Sequence, residues 1–137
     1  MSPRQEEPRN KEKAMSYVDG FVLPIPKSKA AAYRKQAKLA AKLWIEHGAL
    51  SYVECVGDDV KPGKLTSFPQ AVQLKDDEVA WFSWIVFASK KDRNRINKLV
   101  MSDPRGLAMM EPMKEILDMR RMIMGGFKVV VEAKAEG

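Results

Sequence analysis

One ten-residue stretch, residues 79–88 (VAWFSWIVFA), constrains the fold of this chain more than any other. Its aromatic and β-branched residues favour a strand, and successive side chains of a strand point to opposite faces. Trp81, Ser83, Ile85 and Phe87 share one face, while Phe82, Trp84, Val86 and Ala88 share the other. Both faces are apolar. Leaving either one in water would expose a large hydrophobic patch, so whatever sheet holds this strand has to be covered on both sides.

The rest of the chain supplies one cover. Residues 16–25 (SYVDGFVLPI) read as a first strand, closed by Pro24 and Pro26. Residues 27–47 read as a helix, with Ser28 as candidate N-cap and Gly48 just past its end. Tyr33, Ala37, Ala40, Ala41 and Trp44 recur at helical spacing, and the alanines allow close approach to a sheet. Residues 50–56 are a second strand and residues 58–68 a polar loop. Residues 70–74 and 79–88 form the arms of a hairpin, with Lys75, Asp76, Asp77 and Glu78 as a solvated turn. A second helix runs over residues 90–101 with Ile96, Leu99 and Val100 inward, ended at Asp103-Pro104. A Met-rich, partly helical stretch follows over residues 107–117, interrupted by Pro112. Residues 121–132 make the last strand.

Strand, helix, strand, strand, helix, strand is the order of a ferredoxin-like βαββαβ fold, an α+β antiparallel sheet with both helices on one face. The other face then needs a cover from outside the chain. The simplest is a second copy, which predicts a twofold homodimer through the open sheet face.

Composition fits one domain over residues 15–134: the chain has 137 residues, 45% hydrophobic and 31% charged. Residues 1–14 offer almost nothing to bury and read as a disordered tail. No segment approaches the ~20 apolar residues of a membrane-spanning helix. There is no signal-peptide pattern either, and the single cysteine, Cys55, suits a reducing cytoplasm. Cys55 and the lone histidine, His47, are too few for a structural zinc site, and the residues require no cofactor. The net charge of +6 arises from 24 basic and 18 acidic residues mixed along the chain, so nucleic acid is the less favoured partner. The rival reading of that charge is a nucleic-acid or protein-binding module. It would use Arg34, Lys38 and Lys42, which repel one another slightly without an anion nearby and read first as a solvated face, together with Lys90, Lys91, Arg93 and Arg95.

Familiar motifs fail on spacing. Between Gly57 and Gly63 lie five residues where a phosphate loop has four, and Leu65 stands where a Ser or Thr should hold magnesium. Gly125-Gly126 falls inside a strand and opens no helix, so it is no dinucleotide fingerprint. Ionisable residues among apolar neighbours remain. Asp19 sits between Tyr17 and Phe21, and Glu54 shares a strand face with Tyr52 and Val56. Desolvation between two paired sheets would make either one a general base or an anchor. Lys64 or Arg121 would supply the opposing charge. With Tyr52 and Ser67 these residues outline an expected site for a small organic or anionic ligand. The plainer alternative for both carboxylates is a hydrogen bond within the subunit interface, or a reach to water at a sheet end. His47, in the last turn of its helix, reads as structural.

Several blocks together resemble one family. They are residues 16–24 (SYVDGFVLP), 44–50 (WIEHGAL), 52–55 (YVEC), 59–68 (DVKPGKLTSF), 82–86 (FSWIV), 101–104 (MSDP) and 121–127 (RMIMGGF). In register over residues 15–132, they are similar to the YbaA-like family of small bacterial proteins of unknown function. That resemblance implies the dimeric α+β barrel superfamily, in which ferredoxin-like subunits pair sheet to sheet. Relatives of that fold include cofactor-independent oxygenases, haem-degrading enzymes and binding proteins, so it selects no activity. Met124 and Leu117 stand where the family pattern leads one to expect Tyr and Phe.

Overall fold

The computed structural model describes residues 16–136, so the predicted tail lies outside the described residues. Four strands, β1 (Tyr17–Pro26), β2 (Ser51–Val56), β3 (Glu78–Phe87) and β4 (Ile123–Lys128), form one sheet in the order β2-β3-β1-β4. Every neighbouring pair is antiparallel. Helix α1 (Ala30–Glu46) joins β1 to β2, and α3 (Lys90–Ser102) follows β3. Three short helices, α2 (Phe68–Ala71), α4 (Pro104–Ala108) and α5 (Met110–Ile116), fill the connections. This is the expected ferredoxin-like α+β arrangement, with β1 central.

The core lies between the sheet and its helices. Tyr17, Ile85 and Phe87 pack with Leu43, Ile96 and Val100 at one end. At the other, Leu23, Ile25 and Trp81 pack with Tyr33, Ala37 and Ile116. Gly48, at φ +119°, ends α1 in a conformation that side chains rarely adopt. At Gly126, directly across from Asp19, a Cβ would run into the Arg93 guanidinium and the Tyr17 ring.

Local chemistry overrides several sequence expectations. Residues 70–74 form no strand: Ser67 Oγ accepts from the Gln70 N–H and Pro69 sits in the first turn, which starts α2 instead. Glu78 is the buried first residue of β3, not part of a solvated turn. Ser28 caps nothing; it lies in a single 3₁₀ turn, Lys27–Lys29, ahead of α1. Leu99 is exposed. Pro112 falls near the start of α5, where its missing N–H costs no helical bond. The last strand stops at Lys128 because its partner β1 begins at Tyr17, with one further bond from Val129 N–H to Ser16 O.

The far face of the sheet is largely bare. Val22 and Ala80 are buried there against Val72. Beyond them run Phe68, Phe82 and Trp84, with ring centroids 5.8 and 5.4 Å apart. Ile123 and Phe127 extend this surface on β4, and Phe127 is 64% exposed.

Candidate functional site

Strand β2 is an edge strand, and its period of two sends Tyr52 and Glu54 toward α1. There they meet Tyr33 from the start of α1. The Tyr33 hydroxyl lies 3.0 and 2.9 Å from Glu54 Oε1 and Oε2, and the Tyr52 hydroxyl donates to Oε2 at 3.1 Å. Tyr33 is fixed by an edge-on contact with Trp81, centroids 5.0 Å apart. Tyr52 leans on Trp44, centroids 6.1 Å apart. Burial pushes the Glu54 carboxyl above its ordinary value, and the two phenol hydrogen bonds pull part of the way back. Both phenols are driven well above the usual tyrosine range, first by burial and then by the Glu54 charge.

Tyr52 and Glu54 of this cluster border a groove between α1 and β2. A hollow of about 320 Å³ is lined by Arg34, Ala37, Lys38, Ala41, Tyr52, Glu54, Val56 and Trp81. It adjoins a second, of about 480 Å³, toward Ala30, Ala31 and Lys35. Small side chains on α1 leave the room, while Trp81 and Val56 make an apolar wall. Arg34, Lys35 and Lys38 take part in none of the ion pairs among the described residues. Cationic lining, apolar walls and one carboxylate able to take a proton or hold a donor are the working parts of a small-molecule site.

The other expected site residues lie elsewhere. Asp19 faces the helices, not a second sheet, and is 2% exposed. Arg93 Nε donates to its Oδ1 at 3.0 Å and Asn97 Nδ2 to its Oδ2 at 3.3 Å. The Arg93 guanidinium also stacks over the Tyr17 ring at 4.9 Å. Its charged partner is therefore Arg93, not Lys64 or Arg121. A thread of contacts does connect the two carboxylates: Trp44 Nε1 donates to Asn97 Oδ1 at 2.9 Å, and Trp44 rests on Tyr52.

Arg121 grips Glu78 with two bonds of 2.8 and 2.6 Å and reaches Asp118 and the carbonyls of Val72 and Gln73. It thereby ties β3 to the turns before it and before β4. Ser67 caps α2, and Lys64 is exposed in the preceding loop. Thus the structure brings Tyr52 and Glu54 together and sets Asp19, Lys64, Ser67 and Arg121 apart from them. His47 Nε2 lies 3.0 Å from Asp103 Oδ2, which fastens the end of α1 to the start of α4. Of the rival basic set, Arg93 is turned inward and Arg95 pairs with Asp92.

Tyr33 had the spacing of a plain core residue, and nothing in periodicity marks a phenol that will find a carboxylate on another element. Arg34 and Lys38 stand four residues apart on one helix, a mildly repulsive spacing that by itself reads as a solvated face.

Comparison with known proteins places this architecture. The family model described as a protein of unknown function (DUF1428) matches residues 16–119. The uncharacterized protein YbaA of Escherichia coli K12 is 46% identical over 118 residues, covering 86% of this chain and 99% of that protein. The Shigella flexneri protein of the same name matches equally. Among solved structures, a dimeric ferredoxin-like protein from an uncultured marine organism superposes with a TM-score of 0.59 at 10% identity, over 93% of this chain and 99% of that one. A protein of unknown function from Nitrosomonas europaea gives 0.56 at 12% identity, over 91% and 99%. At these identities the likeness concerns the fold alone. Among the described residues no helix is long and apolar enough to cross a membrane. On the strength of the family match and the near full-length relatives, the chain belongs to the DUF1428 family of proteins of unknown function.

Proposed function

We propose that this protein is a homodimer, paired through the open sheet face, whose subunits each bind a small organic anion in the groove between α1 and β2. The observation that carries the binding reading is the groove's make-up. Arg34 and Lys38, in no described ion pair, line the same hollow as the apolar Trp81 and Val56 and the inner Glu54. Such a hollow suits a compact acid with a hydrophobic body. Pairing is supported by the bare aromatic row on the far face and by the dimeric protein of like fold.

Calorimetric titration with a panel of aliphatic and aromatic carboxylic acids tests the binding. The expected outcome is saturable binding, weakened about tenfold or more by Arg34→Ala with Lys38→Ala. No binding across the panel by folded protein would overturn it. Sedimentation at micromolar concentration tests the pairing, and a well-folded monomer would refute it.

A further inference from the structure

Glu54 differs from every other unexposed carboxylate among the described residues. Asp19 is held by Arg93, Glu78 by Arg121, Asp92 by Arg95, Asp103 by Arg105, and Asp118 by Arg120 and Arg121. Among the described residues Glu54 has no cation partner; those it has are two neutral phenols. These satisfy hydrogen bonding without cancelling charge. They also leave Oε1 with acceptor capacity, since a carboxylate oxygen takes two bonds and only Tyr33 donates to it.

The surroundings of this carboxylate suit a cation. Tyr52 and Trp81 line the hollow together with Glu54, with Tyr33 buried behind Trp81, and the negative faces of aromatic rings attract ammonium groups. On the same hollow, Arg34 and Lys38 present positive charge. An occupant carrying only negative charge would cover Glu54 while leaving it uncompensated, and covering an unpaired charge is costly. An occupant carrying both signs answers both ends.

We infer that the groove accepts a zwitterion: an amine and a carboxylate on one apolar body, of which an apolar α-amino acid is the simplest case. The ammonium sits on Glu54 among the aromatic rings, the carboxylate meets Arg34 and Lys38, and the apolar part lies along Trp81 and Val56. This rests on the groove being the ligand site proposed above, and it adds the chemical class of the ligand.

Calorimetry on the full chain with matched triplets provides the test. Leucine is compared with isocaproate and isoamylamine, phenylalanine with phenylpropionate and phenethylamine, and ε-aminocaproate with caproate and amylamine. The expected result is at least one zwitterion binding about tenfold more tightly than either of its halves, a preference worth about 1.4 kcal/mol. Glu54→Gln, which keeps the shape and the acceptor oxygen, should bring the zwitterion down to the affinity of its acid. Acids binding as tightly as their zwitterions in all triplets would overturn the inference and leave the groove's anion binding standing. Binding by no member would remove both. The wild-type triplets decide the matter even if Glu54→Gln fails to fold, and persistence of the amine preference in a folded Glu54→Gln would also refute the assignment.

Discussion

Two glutamates on neighbouring strands are shifted in opposite directions from the ordinary carboxyl value, and each direction follows from its surroundings. Burial raises Glu54, so between the ordinary carboxylate value and its higher folded value the folded chain holds a proton that the unfolded chain has lost. Stability therefore falls as pH climbs through that window. Urea unfolding across a pH series should show Glu54→Gln flattening this decline. Glu78 is lowered, chiefly by its hydrogen bonds with Arg121. Its contribution is present above the ordinary carboxylate range and disappears as pH drops through the depressed value. At neutral pH, Glu78→Gln should cost about 2 kcal/mol in urea unfolding, because Arg121, with little solvent access, keeps only Asp118 as a charged partner. Adding Arg121→Met should recover much of that loss. Alternation along β1 made the burial of Asp19 legible. Its partners were not, because Arg93 and Asn97 come from a helix more than seventy residues away and carry no periodic mark. Glu78 was misread for the opposite reason: Asp76 and Asp77 beside it are solvated, and proximity in sequence hid the change of environment.

At the scale of elements, the strongest lesson concerns α1. Its run of alanines was readable as a surface for close packing, but alanine also leaves empty space wherever the sheet edge falls short. That space is the groove. Ala41→Phe should fill it, weakening binding of organic acids about tenfold or more while changing unfolding free energy by less than about 1 kcal/mol, since Ala41 is only half-buried. Titration and urea unfolding on the same preparation check both halves. Helix α2 shows how a cap outweighs a weak alternation. Residues 70–74 have strand-like composition, yet Ser67 and Pro69 nucleate a turn of helix first. Ser67→Ala should cost about 1 kcal/mol, with faster amide exchange confined to α2 and the turn behind it.

For the whole molecule, the order of elements and the two apolar faces of β3 were enough to derive the sheet and its helix layer. The position of the candidate site was not derivable in the same way. Paired sheets suggested a cavity between subunits, whereas Asp19 and Glu54 both turn toward the helices. A register places residues on faces but does not say which face carries the layer. Trp84→Glu sets a charge within the aromatic row of the bare face, and the expected outcome is a folded monomer by sedimentation and circular dichroism.

Strand β2 divides its side chains between two surfaces: Tyr52 and Glu54 turn inward toward α1, while Val53 and Cys55 share the opposite surface with Trp84 and Phe82. On the function proposed above, ligand contact and subunit pairing fall on opposite sides of one backbone layer. On that reading a monomeric Trp84→Glu subunit should keep its ligand affinity, and the two sites of a dimer should titrate independently, with a Hill coefficient of about 1.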